Sequence, residues 1–290
     1  MPSIFPSEHS LGCRIEGIDL SMPLNHYDES LIIDAFGRFG VVCFPNQVLE
    51  PAQHKAFASR FGSLEINVAA GPYTVPNHPE VMILSNETID GKPVGLGDAG
   101  QDWHTDMSYS TTIAFLNVLY ALRVPRRNGT ALGDTEFLDM CAAYEDLPHG
   151  IKKEIEDLTA THDFDKFWSK MVSLPGSKRK PLSDEQRAAK PPVSHPLVLR
   201  HPISKRKALY CNVGYVTRID NISETESDKL LQFLFRHQLK EEFKYAHSWT
   251  EGDVLAWDNL WTMHNAKADY KATEIRSMWR CQTMADRIFL

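Results

Sequence analysis

Apolar residues along the chain recur with two different periods. Over residues 28–39 they fall every three or four positions, which predicts an amphipathic helix, and the apolar run at 41–44 has the length of a buried strand. A second helix is predicted to begin at Pro51, because proline is favoured in the first turn of a helix, and to end at Gly62. Residues 223–237 repeat the helical period and predict a later helix.

The other apolar segments are short and predict strands. They lie at residues 81–85, 113–122, 196–199, 207–211, 243–249, 253–257 and 275–283. Many short strands, with helices near the start and in insertions, favour a mainly β fold over alternating β–α–β units. We therefore expect a β-sandwich or jelly-roll core with α-helical cladding.

One stretch, residues 165–192, interrupts the pattern. Residues 175–181 within it are basic and rich in proline and glycine, and Lys190 is followed by two prolines. Loops longer than about 15 residues in compact domains are usually lids or disordered segments. We expect a single domain over residues 1–290, with a flexible lid or insertion around residues 165–192.

The balance of charge limits the partners of the protein. The chain has 31 Lys and Arg residues against 38 Asp and Glu residues, which gives a formal net charge of −7. Proteins that bind nucleic acid or a membrane surface present a net basic face, so we expect neither partner. No apolar run approaches the roughly 20 residues that span a bilayer.

The cysteines indicate a reducing compartment. There are 5 of them, scattered along the chain without a Cys-x-x-Cys pair. This distribution argues against a disulfide scaffold and against a thiolate zinc site. We therefore expect a cytoplasmic protein.

The residue types that could bind a metal stand out in two segments. His104 and Asp106 are two positions apart, and at the end of a strand their side chains would point to the same face. His264, far along the chain, is the candidate for a third ligand. Two imidazoles and one carboxylate on one face of an octahedron are typical of non-haem Fe(II) oxygenases.

Two arginines near the end of the chain suggest an anion site. Arg276 and Arg280 are four positions apart, so on the predicted strand at 275–283 they share a face. Guanidinium groups inside a core need anionic partners, because a buried unpaired charge is costly. Arginine is also the side chain best suited to bind a carboxylate through two hydrogen bonds.

With these segments in view, the chain resembles the taurine dioxygenase and 2,4-dichlorophenoxyacetate dioxygenase family of Fe(II)- and 2-oxoglutarate-dependent oxygenases. The matching stretches run nearly from end to end. They are Phe61-Gly62-Ser63-Leu64, Trp103-His104-Thr105-Asp106, Gly133-Asp134-Thr135-Glu136-Phe137, His162-Asp163-Phe164, His195-Pro196, Trp257-Asp258-Asn259, the segment from His264 to Tyr270, and Arg276 to Arg280.

This resemblance implies a fold, a reaction and a set of site residues. The fold would be a double-stranded β-helix, a cupin-like jelly roll, and the reaction a hydroxylation coupled to decarboxylation of 2-oxoglutarate to succinate and CO2. Fe(II) would be the metal, and 2-oxoglutarate and O2 the cosubstrates. His104, Asp106 and His264 would be the iron ligands, while Thr135 and Arg276 would hold the distal carboxylate of 2-oxoglutarate.

The resemblance also implies an acidic substrate. Arg280 corresponds to the family's arginine near the acidic group of the substrate, and Phe164 and Tyr215 match positions that line the substrate pocket. Where the taurine enzyme has a histidine that binds the sulfonate, this chain places Asn67, which argues against taurine itself. We expect a small organic acid, namely an aryloxy carboxylate, sulfonate, sulfate ester or phosphonate.

Two other functions fit the same residues. A zinc-dependent hydrolase could use the His/Asp cluster, but it would not need Arg276 and Thr135 and would consume neither oxygen nor 2-oxoglutarate. A non-catalytic, cupin-like module could bind a small anion without any turnover. As an enzyme, the protein is expected to form a homo-oligomer, a dimer or a tetramer.

Overall fold

The computed structural model describes residues 2–66, 73–173 and 179–288, and over these ranges the chain is mainly β. The strands are β1 (Ser3–Pro6), β2 (Cys13–Glu16), β3 (Val41–Phe44), β4 (Thr74–Val75), β5 (His78–Ser85), β6 (Thr88–Ile89), β7 (Lys92–Pro93), β8 (Ala114–Arg123), β9 (Arg126–Arg127), β10 (Thr130–Ala131), β11 (Thr135–Asp139), β12 (Thr159–His162), β13 (Val193–Pro196), β14 (Val198–Arg200), β15 (Lys207–Leu209), β16 (Val216–Ile219), β17 (Lys244–His247), β18 (Val254–Asp258), β19 (Thr262–Ala266) and β20 (Ser277–Met284).

Helices lie between and beside these strands. They are α1 (His26–Phe39), α2 (Pro51–Ala58), α3 (Met140–Glu145), α4 (His149–Ile155), α5 (Phe164–Ser173), α6 (Asp184–Ala189) and α7 (Glu224–Gln238), and Glu241–Phe243 form a 3-10 turn. The mainly β fold with helical cladding is therefore confirmed. None of the helices in the described ranges is both long enough and apolar enough to cross a membrane.

An eight-stranded sheet forms the centre of the fold. Its strands follow the order β1-β2-β3-β18-β8-β20-β5-β4, and every pair is antiparallel except β2 with β3. A smaller sheet has the order β17-β11-β19, and another has the order β13-β12-β16. Non-neighbouring parts of the chain thus meet in each of these sheets.

The large sheet buries both of its faces, and β18 shows how. Leu255 and Trp257 pack in the same apolar cluster as Phe137 of β11, on the side of the smaller sheet. Val254 and Ala256 alternate with them and belong to the cluster on the opposite side, where α1 and α2 lie. Because side chains of a strand alternate between faces, this apolar strand can serve two cores at once. The resulting order of layers is helices, large sheet and smaller sheets.

Local signals in the sequence fix the ends of the helices. Asn25 caps α1 by accepting a hydrogen bond from the backbone N–H of Asp28, and Ser223 caps α7 in a reciprocal capping box with Glu226. Gly40 ends α1 with φ +66°, and a Cβ there would lie 2.8 Å from the Trp261 ring. Glycine is therefore required at that turn by both conformation and space.

Two predicted elements are wrong in their extent. The helix that begins at Pro51 ends at Ala58, well before Gly62. The strand predicted at 196–199 is two strands in different sheets, β13 and β14. Between them lies the fully buried Leu197, whose N–H donates to the carbonyl of Leu158, so the chain leaves one sheet for the other at that residue.

Candidate active site

Three side chains predicted to share a metal ion lie together between the large sheet and the sheet of β17, β11 and β19. Nε2 of His104 lies 3.6 Å from Oδ1 of Asp106, and Nε2 of His264 lies 3.7 Å from Oδ2. The two imidazole rings are 4.2 Å apart, and the three ligand atoms all fall within 4.8 Å of one another. We call His104, Asp106 and His264 the metal-site triad.

A single β-bridge brings the two histidines of the triad together. The N–H of His104 donates to the carbonyl of His264 at 3.1 Å, and the N–H of His264 donates back at 2.9 Å. The strand end predicted over His104 and Asp106 is wrong, because the chain turns directly after this bridge, with Met107 at φ 55°. The turn, rather than a strand, directs the carboxylate towards both imidazoles.

The protonation states in the triad are those of metal ligands. Nδ1 of His104 lies 2.8 Å from the carbonyl oxygen of Asp102, so it donates its proton there and leaves the lone pair on Nε2 facing the triad. Burial, with the neighbouring His104, holds the pKa of His264 well below its usual value, so this imidazole is neutral. Nδ1 of His264 is buried without a hydrogen-bond partner in the described part of the chain.

Asp106 is kept ionised by its neighbours. Burial raises its pKa, but the charge of Arg280 and the contact with His104 outweigh that effect and hold the pKa well below the usual value. Nη2 of Arg280 lies 3.2 Å from Oδ2 of Asp106, and Nδ2 of Asn117 donates to the same oxygen at 2.6 Å. Gln282 in turn donates to Oδ1 of Asn117 at 2.7 Å.

Asn117 and Gln282 were not among the residues predicted from the sequence. Both are buried, and Asn117 interrupts the otherwise largely apolar strand β8. A buried amide inside an apolar run needs a polar partner, so this interruption was the available signal. Asn117 orients the carboxylate of Asp106, and Gln282 in turn orients Asn117.

The residues predicted to hold 2-oxoglutarate line the same cavity as the triad. Arg276 is 6% exposed, and no carboxylate within the described ranges lies at salt-bridge distance from its guanidinium group. Thr135 lines the cavity beside it, and its Oγ1 accepts a hydrogen bond from Nε1 of Trp249 at 3.0 Å. Because the indole can only donate, the hydroxyl proton of Thr135 is left to donate to another acceptor. This end of the cavity is thus cationic and rich in donors.

An adjoining cavity extends from the other side of the triad. Arg280, Phe164 and Tyr215, which the sequence predicts to contact substrate, all line it. Tyr109 lies between the last two, with its ring 4.7 Å from Phe164 and 4.8 Å from Tyr215. Asn67, also predicted to contact substrate, lies outside the described residues.

The segment predicted as a lid contains ordered secondary structure. Helices α5 and α6 fall within or beside residues 165–192, and residues 174–178 lie outside the described ranges. Phe164, Phe167, Trp168 and Met171 of α5 line the adjoining cavity. The segment therefore forms one wall of that cavity.

A second group of ligand-type side chains, the thiol cluster, consists of Cys43, His247 and Asp253. Their ligand atoms also lie within 4.8 Å of one another, and all three residues are buried. Nε2 of His247 lies 3.3 Å from Oδ2 of Asp253, which also accepts a hydrogen bond from the N–H of Thr250 at 2.8 Å. Burial raises the pKa of the Cys43 thiol far above its usual value, so the sulfur keeps its proton.

Comparison with known proteins agrees with this geometry. The family model described as "Taurine catabolism dioxygenase TauD, TfdA family" matches residues 3–282. An alpha-ketoglutarate-dependent 2,4-dichlorophenoxyacetate dioxygenase from Burkholderia sp. (strain RASC) is 36% identical over 85% of this chain and 82% of its own length. An alkylsulfatase from Acinetobacter baylyi is 29% identical over 90% of this chain and 78% of its own length.

A solved structure of similar sequence has the same fold. The structure of AAD-2 in complex with Mn(II) and N-oxalylglycine has a TM-score of 0.79 to this chain, at 28% identity, covering 98% of this chain and 97% of the other. The sequence match and the fold match thus both extend over nearly the whole chain. This chain belongs to the taurine catabolism dioxygenase family, whose named relatives are alpha-ketoglutarate-dependent dioxygenases.

Proposed function

We propose that this chain is an Fe(II)- and 2-oxoglutarate-dependent dioxygenase that hydroxylates a small organic anion. One observation carries the proposal: the metal-site triad shares a cavity with a buried arginine, Arg276, that has no carboxylate partner within the described ranges. A metal site alone fits many enzymes. A metal site beside an uncompensated buried guanidinium fits an enzyme whose cosubstrate brings a carboxylate.

The donor set of the triad suits a divalent metal ion such as Fe(II). Metal binding requires neutral imidazoles and an ionised carboxylate, and the lowered pKa values of His264 and Asp106 favour these states in those two residues. His104, Asp106 and His264 would hold the ion. When bound, Fe(II) and 2-oxoglutarate supply the oxidising chemistry that converts O2 to a hydroxyl group on the substrate, with succinate and CO2 as the other products.

The protein's own residues orient the cosubstrate. Arg276 neutralises the distal carboxylate of 2-oxoglutarate, and the hydroxyl of Thr135 donates to it. Trp249 keeps Oγ1 of Thr135 in place through the hydrogen bond from its indole N–H. Apolar side chains such as Leu84 and Leu119 line the remaining walls, so water is kept from the reacting groups.

The substrate binds in the adjoining cavity, between the triad and helix α5. Arg280 attracts its acidic group, while Phe164 and Tyr215 contact its apolar part. The names of the relatives, a 2,4-dichlorophenoxyacetate dioxygenase and an alkylsulfatase, support an organic anion as substrate. We infer a small aryloxy carboxylate, sulfonate, sulfate ester or phosphonate.

The finer architecture follows the same reasoning. We infer that the large sheet and the sheet of β17, β11 and β19 are the two halves of a jelly roll, because they pack face to face with the triad between them. Residues 1–290 form one catalytic domain, since the ligands come from distant parts of the chain. A lid role for residues 165–192, a cytoplasmic location and a homo-oligomeric state remain predictions.

Succinate formation tests this function. The assay supplies Fe(II), ascorbate and 2-oxoglutarate with a panel of aryloxy acids, sulfonates, sulfate esters and phosphonates. We expect succinate above background with at least one member of the panel, in an amount equal to the hydroxylated product. Product release without oxygen would instead favour the zinc hydrolase, and binding of the anion without any turnover would favour the non-catalytic module.

A further inference from the structure

Three cationic side chains line the cavity proposed to bind substrate, and two of them already have carboxylate partners. Arg280 lies 3.2 Å from Asp106, and Arg179 lies 2.8 Å from Asp98. Lys190 lines the same cavity, but no carboxylate in residues 2–66, 73–173 or 179–288 reaches salt-bridge distance of its ammonium group. Among the described residues, Lys190 is therefore the cation of this cavity that has no carboxylate in salt-bridge contact.

The surroundings of Lys190 hold its ammonium group inside the cavity. Nζ lies 4.7 Å from the centroid of the Phe164 ring and 5.0 Å from that of Tyr109. Burial lowers the pKa of Lys190, and the charge of Glu65 opposes that shift only in part. Cation–π contacts stabilise an ammonium group but do not neutralise it, so Lys190 remains able to pair with an anion.

Arg280 contacts the triad through Asp106, whereas Lys190 contacts the aromatic rings of Tyr109 and Phe164. The ring of Tyr109 lies 4.8 Å from that of Tyr215, which lies 6.4 Å from the imidazole of His104. The rings of Tyr109 and Tyr215 thus connect Lys190 to His104 through a series of contacts. The cavity offers one cation in contact with the metal-site triad and another against the aromatic rings that line it.

We propose that Lys190 binds a second anionic group of the substrate, so that the preferred substrate is an aromatic acid with an anionic group at each end. This inference rests on the proposed dioxygenase function and names its substrate class. Arg280 attracts the acidic group nearest the metal-site triad, and Lys190 pairs with a carboxylate or sulfonate on the far side of the ring. The aromatic part of the substrate stacks against Tyr109, Phe164 and Tyr215.

Two substrates that differ by one charge test this assignment. Phenoxyacetate and 4-carboxyphenoxyacetate have the same ring and the same side chain, but the second carries a further carboxylate. A charge-assisted hydrogen bond contributes about 1.5–3 kcal/mol, so we expect the wild-type KM for the diacid to be at least about tenfold lower. Lys190→Met should abolish that preference, because it should raise the KM for the diacid at least about tenfold more than the KM for phenoxyacetate.

Two further variants exclude loss of folding as the cause. Lys190→Arg should retain the preference for the diacid, because it keeps the positive charge. Lys180→Met removes a lysine from the same segment whose side chain is exposed and outside the cavity, so it should behave as wild type. The inference is overturned if the wild type does not prefer the diacid, or if Lys190→Met keeps the wild-type preference.

A binding measurement separates this inference from the proposed function. Calorimetry with Mn(II) and N-oxalylglycine in place of Fe(II) and 2-oxoglutarate reports diacid affinity without turnover. Tighter binding of the diacid than of phenoxyacetate, lost in Lys190→Met, supports the role of Lys190 even if no succinate forms. Succinate formation from phenoxyacetate by both proteins, with equal affinity for the two acids, supports the dioxygenase and overturns the role of Lys190.

Discussion

The metal-site triad and the thiol cluster are both sets of three ligand-type side chains inside the protein, and they differ in protonation state. In the triad, Arg280 keeps Asp106 ionised, and the three residues line a cavity together with Thr135 and Arg276. In the thiol cluster, Cys43 keeps its proton and Asp253 accepts a backbone hydrogen bond. Residue type alone therefore does not define a metal site. The protonation state of the ligand atoms matters as well.

The thiol cluster has a structural role that connects it to the cavity. The ring of His247 packs edge-on against Trp249, with centroids 4.9 Å apart and an interplanar angle of 88°. Trp249 is the donor to Thr135, at the end of the cavity assigned to 2-oxoglutarate. The thiol cluster thus supports the cavity through the contact of His247 with Trp249. We assign no metal to the cluster.

The largest expected difference in metal binding and turnover is between replacing a histidine of the metal-site triad and replacing a histidine of the thiol cluster. His104→Ala removes a ligand of the triad, so we expect it to abolish metal binding and to lower turnover by at least about 10³-fold, since the metal supplies the chemistry. His247→Ala should retain the bound metal, and its main effect should be to lower the free energy of unfolding by about 1–3 kcal/mol, because it removes a buried partner of Asp253. Metal content after dialysis, turnover and chemical denaturation measure the three effects. Metal loss in His247→Ala would contradict the comparison.

His54 is a buried histidine outside both clusters, so its titration shows the effect of burial on an imidazole that has no ligand role. Burial lowers its pKa to about 4, whereas an unfolded histidine titrates near 6.5. The unfolded state therefore binds more protons between these values, and the stability contributed by neutral His54 is present above pH 6.5 and lost as the pH falls towards 4. The expected loss is about 3 kcal/mol.

Denaturation of metal-free protein at a series of pH values checks this effect. His54→Gln should flatten the dependence between pH 6.5 and 4, whereas His149→Gln, which alters an exposed histidine, should leave it unchanged. An unaltered slope in His54→Gln would show that another group is responsible.

The two arginines of the cavity should respond differently to truncation. Arg276→Ala removes charge-assisted hydrogen bonds worth about 1.5–3 kcal/mol, so the KM for 2-oxoglutarate should rise about 10- to 150-fold. Arg280→Ala should mainly raise the KM for the organic acid. Steady-state kinetics with each substrate varied in turn measure both effects. If both variants behaved as wild type, the assignment of the cavity would be wrong.

The smallest expected effect concerns Trp249, which contacts both His247 of the thiol cluster and Thr135 of the cavity. Trp249→Phe keeps the ring but removes the N–H that orients Thr135, so the KM for 2-oxoglutarate should rise about 2- to 10-fold, with kcat little changed. Trp261→Phe is the matched control, because its indole N–H is buried without a partner in the described structure. An equal effect of both substitutions would indicate packing rather than the hydrogen bond.

Local patterns predicted the elements that depend on local physics. The apolar run Val41–Phe44 is strand β3 with the predicted bounds, and the helical period over residues 223–237 corresponds to α7, which begins at a capping box formed by Ser223. Residues 165–192 contain the same kind of start signal, because Ser183 caps α6 in a capping box with Gln186. Breaker residues nearby led to the expectation of a loop, although a helical start signal was present.

The sequence predicted which residue types could form the site, but it did not predict the contacts that position them. Spacing indicated that His104 and Asp106 could converge, but the turn at Met107 that directs the carboxylate depends on a bridge to β19, far along the chain. The partners of Asp106 also depend on contacts between distant parts of the chain. Asn117 and Arg280 reach it from neighbouring strands of the large sheet, and such pairings depend on sheet register rather than on local sequence.

Anomalous scattering from a crystal loaded with Mn(II) would test the central claim most directly. We predict one anomalous peak between Nε2 of His104, the carboxylate of Asp106 and Nε2 of His264, and no peak at the thiol cluster. The peak should be absent from crystals of His104→Ala grown in the same way. A peak at Cys43, His247 and Asp253, or none at the metal-site triad in protein shown to contain the metal, would contradict the account.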